Sequence, residues 1–381
     1  METDRVCSRC ISDSGIPGIK FDDNGVCNYC YTHNELDKQF PLDEIGQQML
    51  NRLIEKIEEN GSGKEYNCIV GVSGGRDSTY TLYQAKKLGL RTLAVHFDNG
   101  WNSEIAVDNI KKVTEALGVD LHTVVVDWEE FKDLQKAFLK ASVSDAEVPT
   151  DYVIISVLFQ TADEMGIKYV LNGHSFRTEG IAPLGWTYMD GRYIKSVQKR
   201  YGKIKLTSFP IISLSKLVYY TLIKGIKYVP LLQYFDYRQK EAGEIISKEV
   251  GWKYYGGHHH ESIYTHFFQS YLLPTKFNID KRKLEYSALI RSGQMERDAA
   301  MKEIEENPYP YDKEIVEYTI AKLGFTDEEF QEILNARQRT FREYPSYYNI
   351  IKASRIPIKL ACDLNILPRI FYEKYLGFSD I

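Results

Sequence analysis

The sequence predicts an α/β protein: a doubly wound parallel sheet, preceded by a cysteine-rich knuckle and followed by a helical C-terminal region. Three observations predict it. Short apolar runs alternate with amphipathic stretches from about residue 67 to 172, the pattern of strands covered by helices on both faces. Two C-x-x-C pairs stand near the start. From about residue 230 the pattern turns helical and tyrosine-rich, punctuated by Pro274, Pro308 and Pro310.

The chain has 381 residues, room for two or three domains, with 43% hydrophobic and 13% aromatic residues. Net charge is −5 and no long basic run occurs, so a general nucleic-acid footprint is not indicated. No apolar stretch approaches the length of a membrane span, and residues 1–30 lack a signal-peptide core. A cytoplasmic protein with neither a nucleic-acid nor a membrane partner is expected.

In order, residues 1–40 read as a knuckle. Cys7-x-x-Cys10 and Cys27-x-x-Cys30 are separated by 16 residues, a spacing suited to tetrahedral Zn²⁺. Asp22-Asp23-Asn24-Gly25 reads as the turn of a small hairpin between them. Such a piece has almost no core, so structural zinc would supply its folding energy. Disulfides fit poorly with a cytoplasmic chain. Cys68 and Cys362 sit among apolar residues and read as buried thiols.

Residues 41–63 read as a linking helix and its Asn60-Gly61-Ser62-Gly63 stop. Then come strand 67–72, helix 78–88, strand 91–97, helix 103–117, strand 121–126, helices 129–141 and 151–165, and strand 168–172. The sheet domain is placed at 64–230 and the helical region at 231–381.

Ser73-Gly74-Gly75-Arg76-Asp77-Ser78 follows the first strand and opens a helix. Two glycines let backbone approach a phosphate, and the helix N-terminus presents free N–H groups and a positive dipole. Ser73 and Ser78 add hydroxyls. A carboxylate beside phosphates repels them unless a cation lies between, so Asp77 argues for Mg²⁺ shared with a nucleotide. An ordinary glycine turn is the alternative. Neither a Walker A loop nor a dinucleotide fingerprint is present.

Other candidates stand where parallel strands end. Phe97, Asp98 and Asn99 follow the second strand, where nucleotide contact or plain turn chemistry would fit. Gly173 and His174 follow the fourth; His174 is read as a phosphate partner, Arg177 as a cation for developing pyrophosphate, and Glu179 as the acid there. Lys276 and Arg282 belong to the run Lys276-Phe277-Asn278-Ile279-Asp280-Lys281-Arg282, whose cations suit an anion. His258-His259-His260-Glu261-Ser262 reads as a polar loop facing sugar or phosphates. Asp151 is a candidate general base.

The six residues 73–78 resemble the PP-loop of the ATP pyrophosphatase superfamily, which implies a PP-loop/HUP-like sheet and cleavage of ATP between the α and β phosphates. Gly173-His174 resembles that superfamily's second signature, with Glu179 alone in place of the usual acidic pair. The whole chain, from about residue 5 to 380, resembles the N-acetyl sugar amidotransferase family (WbpG/PseA type). The carrying segments are both C-x-x-C pairs, 72–78, 96–100, 172–174 and 276–282. Arg76 departs from the superfamily's usual lysine but fits this narrower family.

That resemblance implies a reaction and its partners. ATP adenylates the acetamido oxygen of a UDP- or CMP-linked sugar, and ammonia displaces AMP to leave an acetamidino group. The setting is lipopolysaccharide O-antigen or surface sugar biosynthesis. No glutaminase signature is evident, so a separate glutaminase subunit and a cyclase-like ammonia-channel protein are expected. The rival is a PP-loop tRNA-modifying enzyme of the thiolase or lysidine type.

Overall fold

The computed structural model describes residues 5–257, 259–309, 311–363 and 372–377. His258 and Pro310 lie outside the described residues, as do 364–371 and 378–381 of the expected helical region.

Within the knuckle, Phe21 and Cys27 form an antiparallel bridge around the Asp22–Gly25 turn, and helix α1 (Asn28–Gln39) starts directly after Cys27. Helix α2 (Glu44–Asn60) is capped by Asp43, whose side chain accepts from the amides of Ile45 and Gly46. The alternation follows: β1 (Cys68–Gly71), α3 (Arg76–Lys87), β2 (Thr92–Asp98), α4 (Glu104–Leu117), β3 (Leu121–Val125), α5 (Trp128–Ala141), α6 (Val148–Glu164) and β4 (Tyr169–Asn172). Beyond it lie α7 (Gly191–Tyr201), α8 (Leu214–Val218) and β5 (Lys227–Pro230). The rest is helical: α9 (Gln239–Val250), α10 (Ile263–Phe267), α11 (Arg282–Arg291), α12 (Arg297–Glu306), α13 (Lys313–Leu323), α14 (Asp327–Asn335), α15 (Tyr348–Ala353) and α16 (Arg355–Asp363).

The five strands among the described residues are all parallel, in the order β3-β2-β1-β4-β5. Period-two alternation splits each inner strand between two cores. Ile69, Leu93, Val95, Phe97 and Val170 face one core with Phe131 of α5 and Leu158 of α6. Cys68, Val70, Ala94, Tyr169 and Leu171 face the other, with Leu82 of α3, Ile110 of α4 and Ile246 of α9. This is the double covering that the apolar runs imply, and each fully buried aliphatic side chain stabilises it by roughly 1.5–3 kcal/mol. Two differences stand out. β3 is an edge strand, with Leu121 and Val125 exposed. β5 pairs with β4 and is absent from the sequence reading, because four residues between helical stretches carry little periodic signal.

The topology positions the site. The chain builds outward from β1 to β3, then returns to the other side of β1 to lay down β4. Loops leaving β1 and β4 therefore diverge, and the crevice between them is where parallel sheets take ligands. Two glycines make the crevice possible. Gly74 has φ +79°, and a Cβ there would lie 2.3 Å from the carbonyl oxygen of Ala106. A Cβ on Gly173 would lie 2.8 Å from the Asp77 carbonyl.

These contacts predict unequal costs for one substitution at two positive-φ sites. Gly74→Ala should lower stability by about 3 kcal/mol, from strain and a backbone clash together. Gly63→Ala, also at positive φ but with nothing within 4 Å of a Cβ, should cost only about 1 kcal/mol. Urea titrations of both variants check this; equal midpoints would contradict it.

Candidate functional site

The loop after β1 becomes the first turn of α3 with Gly75 as N-cap and no side-chain cap. The amides of Asp77 and Ser78 are thus left for a ligand. Ser73 and Ser78 hydroxyls lie 3.2 Å apart, and Tyr255 accepts from the Arg76 amide at 3.3 Å. Across the crevice, the loop after β4 brings Gly173, His174 and Glu179. Together with Tyr228, His259 and Glu261 these residues enclose a cavity of about 210 Å³.

Charge in this cavity is mixed. Arg76 Nε donates to Asp77 Oδ1 at 3.2 Å, and Tyr237 donates to the same oxygen. Burial pushes the Asp77 carboxyl up, against the pull of Arg76 and with the push of Glu179. His174 Nδ1 sits 3.0 Å from Glu179 Oε2. Burial alone would raise Glu179, but His174 and His259 outweigh it and hold it at about 2. Ser73 Oγ donates to Glu261 Oε1 at 3.2 Å, and His259 Nδ1 lies 3.7 Å from that oxygen. Burial would lower His259, yet the Glu261 carboxylate raises it to about 9.

Three buried polar atoms on these walls have no hydrogen-bond partner: Asp77 Oδ2, Glu261 Oε2 and Asn172 Nδ2. Leaving each unsatisfied costs about 1–3 kcal/mol, and such groups gather where a ligand completes them. Two open carboxylate oxygens beside an amide-lined anion cradle fit a divalent cation that bridges protein and phosphate.

Residues 67–175 match the family described as "Queuosine biosynthesis protein QueC", and residues 261–355 match "LPS biosynthesis protein WbpG-like, C-terminal domain". The chain joins a QueC-like PP-loop ATP pyrophosphatase domain to a WbpG-like C-terminal domain. It is similar to an uncharacterized protein of Methanocaldococcus jannaschii, 24% identical over 322 residues, 82% of this chain and 96% of that one. It is also similar to a tRNA-specific 2-thiouridylase of Fusobacterium nucleatum, 25% identical over 113 residues, 28% of this chain and 33% of that one. Among solved structures, NMN synthetase from Francisella tularensis aligns with a TM-score of 0.37 at 11% identity, covering 74% of this chain and 98% of that one.

In the PP-loop domain, Ser73, Gly75, Arg76, Asp77, Ser78, Gly173, His174 and Glu179 meet at one cavity. Gly74 lies behind them, its carbonyl bonded to Asn109 and Trp252. Phe97, Asp98 and Asn99 do not line the cavity. Phe97 packs edge-on against Phe131 in the core, and the Asp98 and Asn99 side chains accept from the amides of Gly100 and Trp101.

Arg177 is likewise turned away. It is 4% exposed, and its guanidinium binds Asp37 at 2.8 Å and the carbonyls of Phe40 and Gln233. It acts as a strut between the C-terminal end of α1 and the loop after β4, not as a cation at the cavity. In the WbpG-like domain, Lys276 Nζ donates to the carbonyls of Ile333, Leu334 and Ala336 at the C-terminal end of α14. Arg282 is paired with Asp280 and the Asn307 carbonyl. Neither Lys276 nor Arg282 reaches the cavity, because a buried cation must be paired and nearer acceptors take both.

Glu261, His259, Tyr255 and Tyr228 are wall residues that the sequence reading did not assign individually, as is Tyr237, which supports the wall through its bond to Asp77. The polar run 258–262 amid an aromatic helical stretch was the signal for the first two. His260 instead stacks on His266, with ring centroids 3.5 Å apart.

The second candidate centre is the knuckle. Cys7, Cys10, Cys27 and Cys30 are fully buried, with four of their Sγ–Sγ distances 3.6 or 3.8 Å. Tetrahedral Zn–S bonds of about 2.3 Å would set sulfurs about 3.8 Å apart, so the cluster is compatible with Zn²⁺. Arg291 donates to Cys10 Sγ at 3.5 Å, and Arg297 to the Cys7 and Cys10 carbonyls. These cations would offset a thiolate cluster's charge. The same contacts, with Ser12 on Ser287 and an Asp13–Lys283 ion pair, clamp the knuckle to α11 and to the start of α12.

Two outcomes follow. Elemental analysis should find one zinc per chain, and chelation or Cys27→Ser should lower the melting midpoint by about 5 °C or more; a zinc-free chain with unchanged melting would contradict this. Arg177→Ala should cost about 2 kcal/mol of stability, chiefly by leaving the Phe40 and Gln233 carbonyls without this donor, while leaving the nucleotide dissociation constant near wild type. Intact stability with lost nucleotide binding would return Arg177 to the cavity.

Proposed function

We propose that this chain is the ATP-dependent synthetase component of an N-acetyl sugar amidotransferase. It would convert the acetamido group of a UDP- or CMP-linked sugar to acetamidino, in lipopolysaccharide O-antigen or surface sugar biosynthesis. One observation carries the reading. Glu261, the first residue of the WbpG-like match, is hydrogen-bonded to Ser73 of the phosphate loop, so the C-terminal domain completes the nucleotide cavity. The proposed division is 1–40 knuckle, 41–63 linking helix, 64–230 PP-loop domain and 231–381 substrate and partner region.

The residues suit the chemistry. Amides and hydroxyls of 73–78 would take ATP phosphates, with Arg76 and His259 as nearby cations. Phe97, Asp98 and Asn99 would bring main chain towards adenosine. Asp77 and Glu261 would hold Mg²⁺, which when bound offsets triphosphate charge. His174 and Glu179 hold each other on the opposite wall. The amide oxygen attacks the α phosphorus, the bond to pyrophosphate breaks, and preorganised donors stabilise the departing charge. Ammonia then attacks the activated carbon and AMP leaves. Each half is needed because an amide carbonyl is a poor electrophile and its oxygen a poor leaving group.

Ammonia would come from a separate glutaminase through a cyclase-like channel protein, and the four-thiolate zinc site would be structural. A thiolating role is less suited: no cysteine is among the described residues lining the cavity, so none is placed to carry sulfur there. No described helix is long and apolar enough to cross a membrane, which accords with action on a cytoplasmic nucleotide sugar.

The test is mass spectrometry of UDP- and CMP-linked acetamido sugars incubated with the chain, ATP, Mg²⁺ and ammonium chloride. A loss of about one mass unit, with AMP and pyrophosphate released in equal amounts, is expected. Asp77→Asn and Glu261→Gln should cut that turnover about 100-fold or more, matching loss of a charge-stabilising group, while both keep zinc and fold. Release of orthophosphate, or sugars of unchanged mass, would overturn the assignment.

A further inference from the structure

Of the buried, unpartnered polar atoms on the described walls of the nucleotide cavity, only Asn172 Nδ2 is a donor. A cation held by Asp77 and Glu261 would satisfy their open oxygens and leave this group unpaired. Asn172 is the last residue of β4 and is 8% exposed. Its Oδ1 accepts from the His174 amide at 3.0 Å. A backbone N–H only donates, so this bond fixes which end of the carboxamide is oxygen. The side chain cannot turn round without setting two donors against each other. Nδ2 is therefore a fixed donor, and a buried donor left open marks a place that a ligand acceptor completes.

The fold sets this donor beside the phosphate cradle. β4 lies next to β1, with Val70 opposite Leu171. Gly173 packs on the first turn of α3, where a Cβ would lie 2.8 Å from the Asp77 carbonyl. The two sides differ in charge. Arg76 and His259 stand with Asp77 and Glu261 on the cradle side. Asn172 shares its face of the sheet with Tyr228, because Val170 is opposite Tyr228, Asn172 is opposite Pro230, and side chains two apart point the same way. Tyr228 also lines the cavity, and burial keeps it protonated. This stretch of wall is uncharged.

A triphosphate has the same asymmetry. Its β and γ groups carry most of the negative charge and suit cations; the α group carries a single charge and suits a neutral donor. The α-phosphoryl group also takes part in both steps of the reaction read above. Its oxygens gain charge as the acetamido oxygen attacks phosphorus, and again as AMP leaves. A preorganised donor contributes most where charge develops.

We propose that Asn172 Nδ2 binds a non-bridging oxygen of the α-phosphoryl group, in ATP and in the departing AMP. This rests on the reading of cleavage between the α and β phosphates.

Asn172→Asp keeps the oxygen for the His174 amide and the shape of the side chain, and removes the donor. Calorimetric titration of the full chain with Mg²⁺ and α,β-methylene-ATP, and separately with AMP, should show binding weakened about tenfold or more. Inorganic pyrophosphate should bind within about twofold of wild type. Equal weakening for pyrophosphate would make Asn172 a structural residue and overturn the proposal, as would unchanged AMP affinity. The unaltered chain gives a second measure that does not depend on a variant folding. In its crystals with α,β-methylene-ATP, a non-bridging α oxygen should lie about 3 Å from Nδ2. Nδ2 bound to another ligand group, or to no ligand atom, would overturn the assignment. None of these measurements contains sugar. The expected AMP result without sugar conversion would sink the amidation reading and leave the α-phosphoryl site standing; sugar conversion with unchanged AMP affinity in the variant would do the reverse.

Discussion

A carboxylate held against an anion cradle is the constraint around which this molecule is arranged. Ser73 and Glu261 are 188 positions apart and meet at 3.2 Å. A Cβ on Gly75 would lie 2.6 Å from that same carboxylate. Two negative partners, Glu261 and a phosphate, can share such a place only with a cation between them. The open Asp77 and Glu261 oxygens are where that cation would be held. His259 and Arg76 limit the repulsion in the meantime, and the raised His259 is the visible consequence.

The remaining architecture can be understood as support for that meeting. The reversal of strand order beside β1 opens the crevice, and Gly74 and Gly173 let main chain pack into its floor. The backbone near Glu261 is tied to the end of β2 by the Ser103 amide on the Glu261 carbonyl and the Ile263 amide on the Trp101 carbonyl. From the other side, α11 carries Glu285, which burial raises to about 7 within the field of His259, Arg76 and Asp77. The same helix is clamped to the cysteine cluster through Ser287 and Arg291. A metal at the knuckle would thus stiffen a helix whose Glu285 lies within the field of the cavity's charged residues.

Misreadings at Arg177, Lys276 and Arg282 share one cause. In a sequence, a cation within a recognised motif or a cation-rich run invites an anion as its partner. In the fold each is nearly fully buried, and desolvation forces it onto the closest acceptors: helix-end carbonyls for Lys276, Asp280 for Arg282, Asp37 and two carbonyls for Arg177. Asp98 and Asn99 show the local version, their side chains taken by amides two residues on.

What the sequence determined by itself was everything set by short spacing. Two C-x-x-C pairs bring four thiols together because each pair bites one edge of a tetrahedron. Strand, glycines and helix start in succession make the cradle at 73–78, since those geometries are local. Period-two and period-3.6 patterns give the covered sheet. Only the tertiary structure decided which distant residues close the cavity: Glu261 and His259 from a loop with no periodicity, Tyr228 from a four-residue strand, and Tyr255 from just beyond α9. Their approach depends on strand order and helix packing, which sum over hundreds of weak contacts. No spacing along the chain encodes that sum.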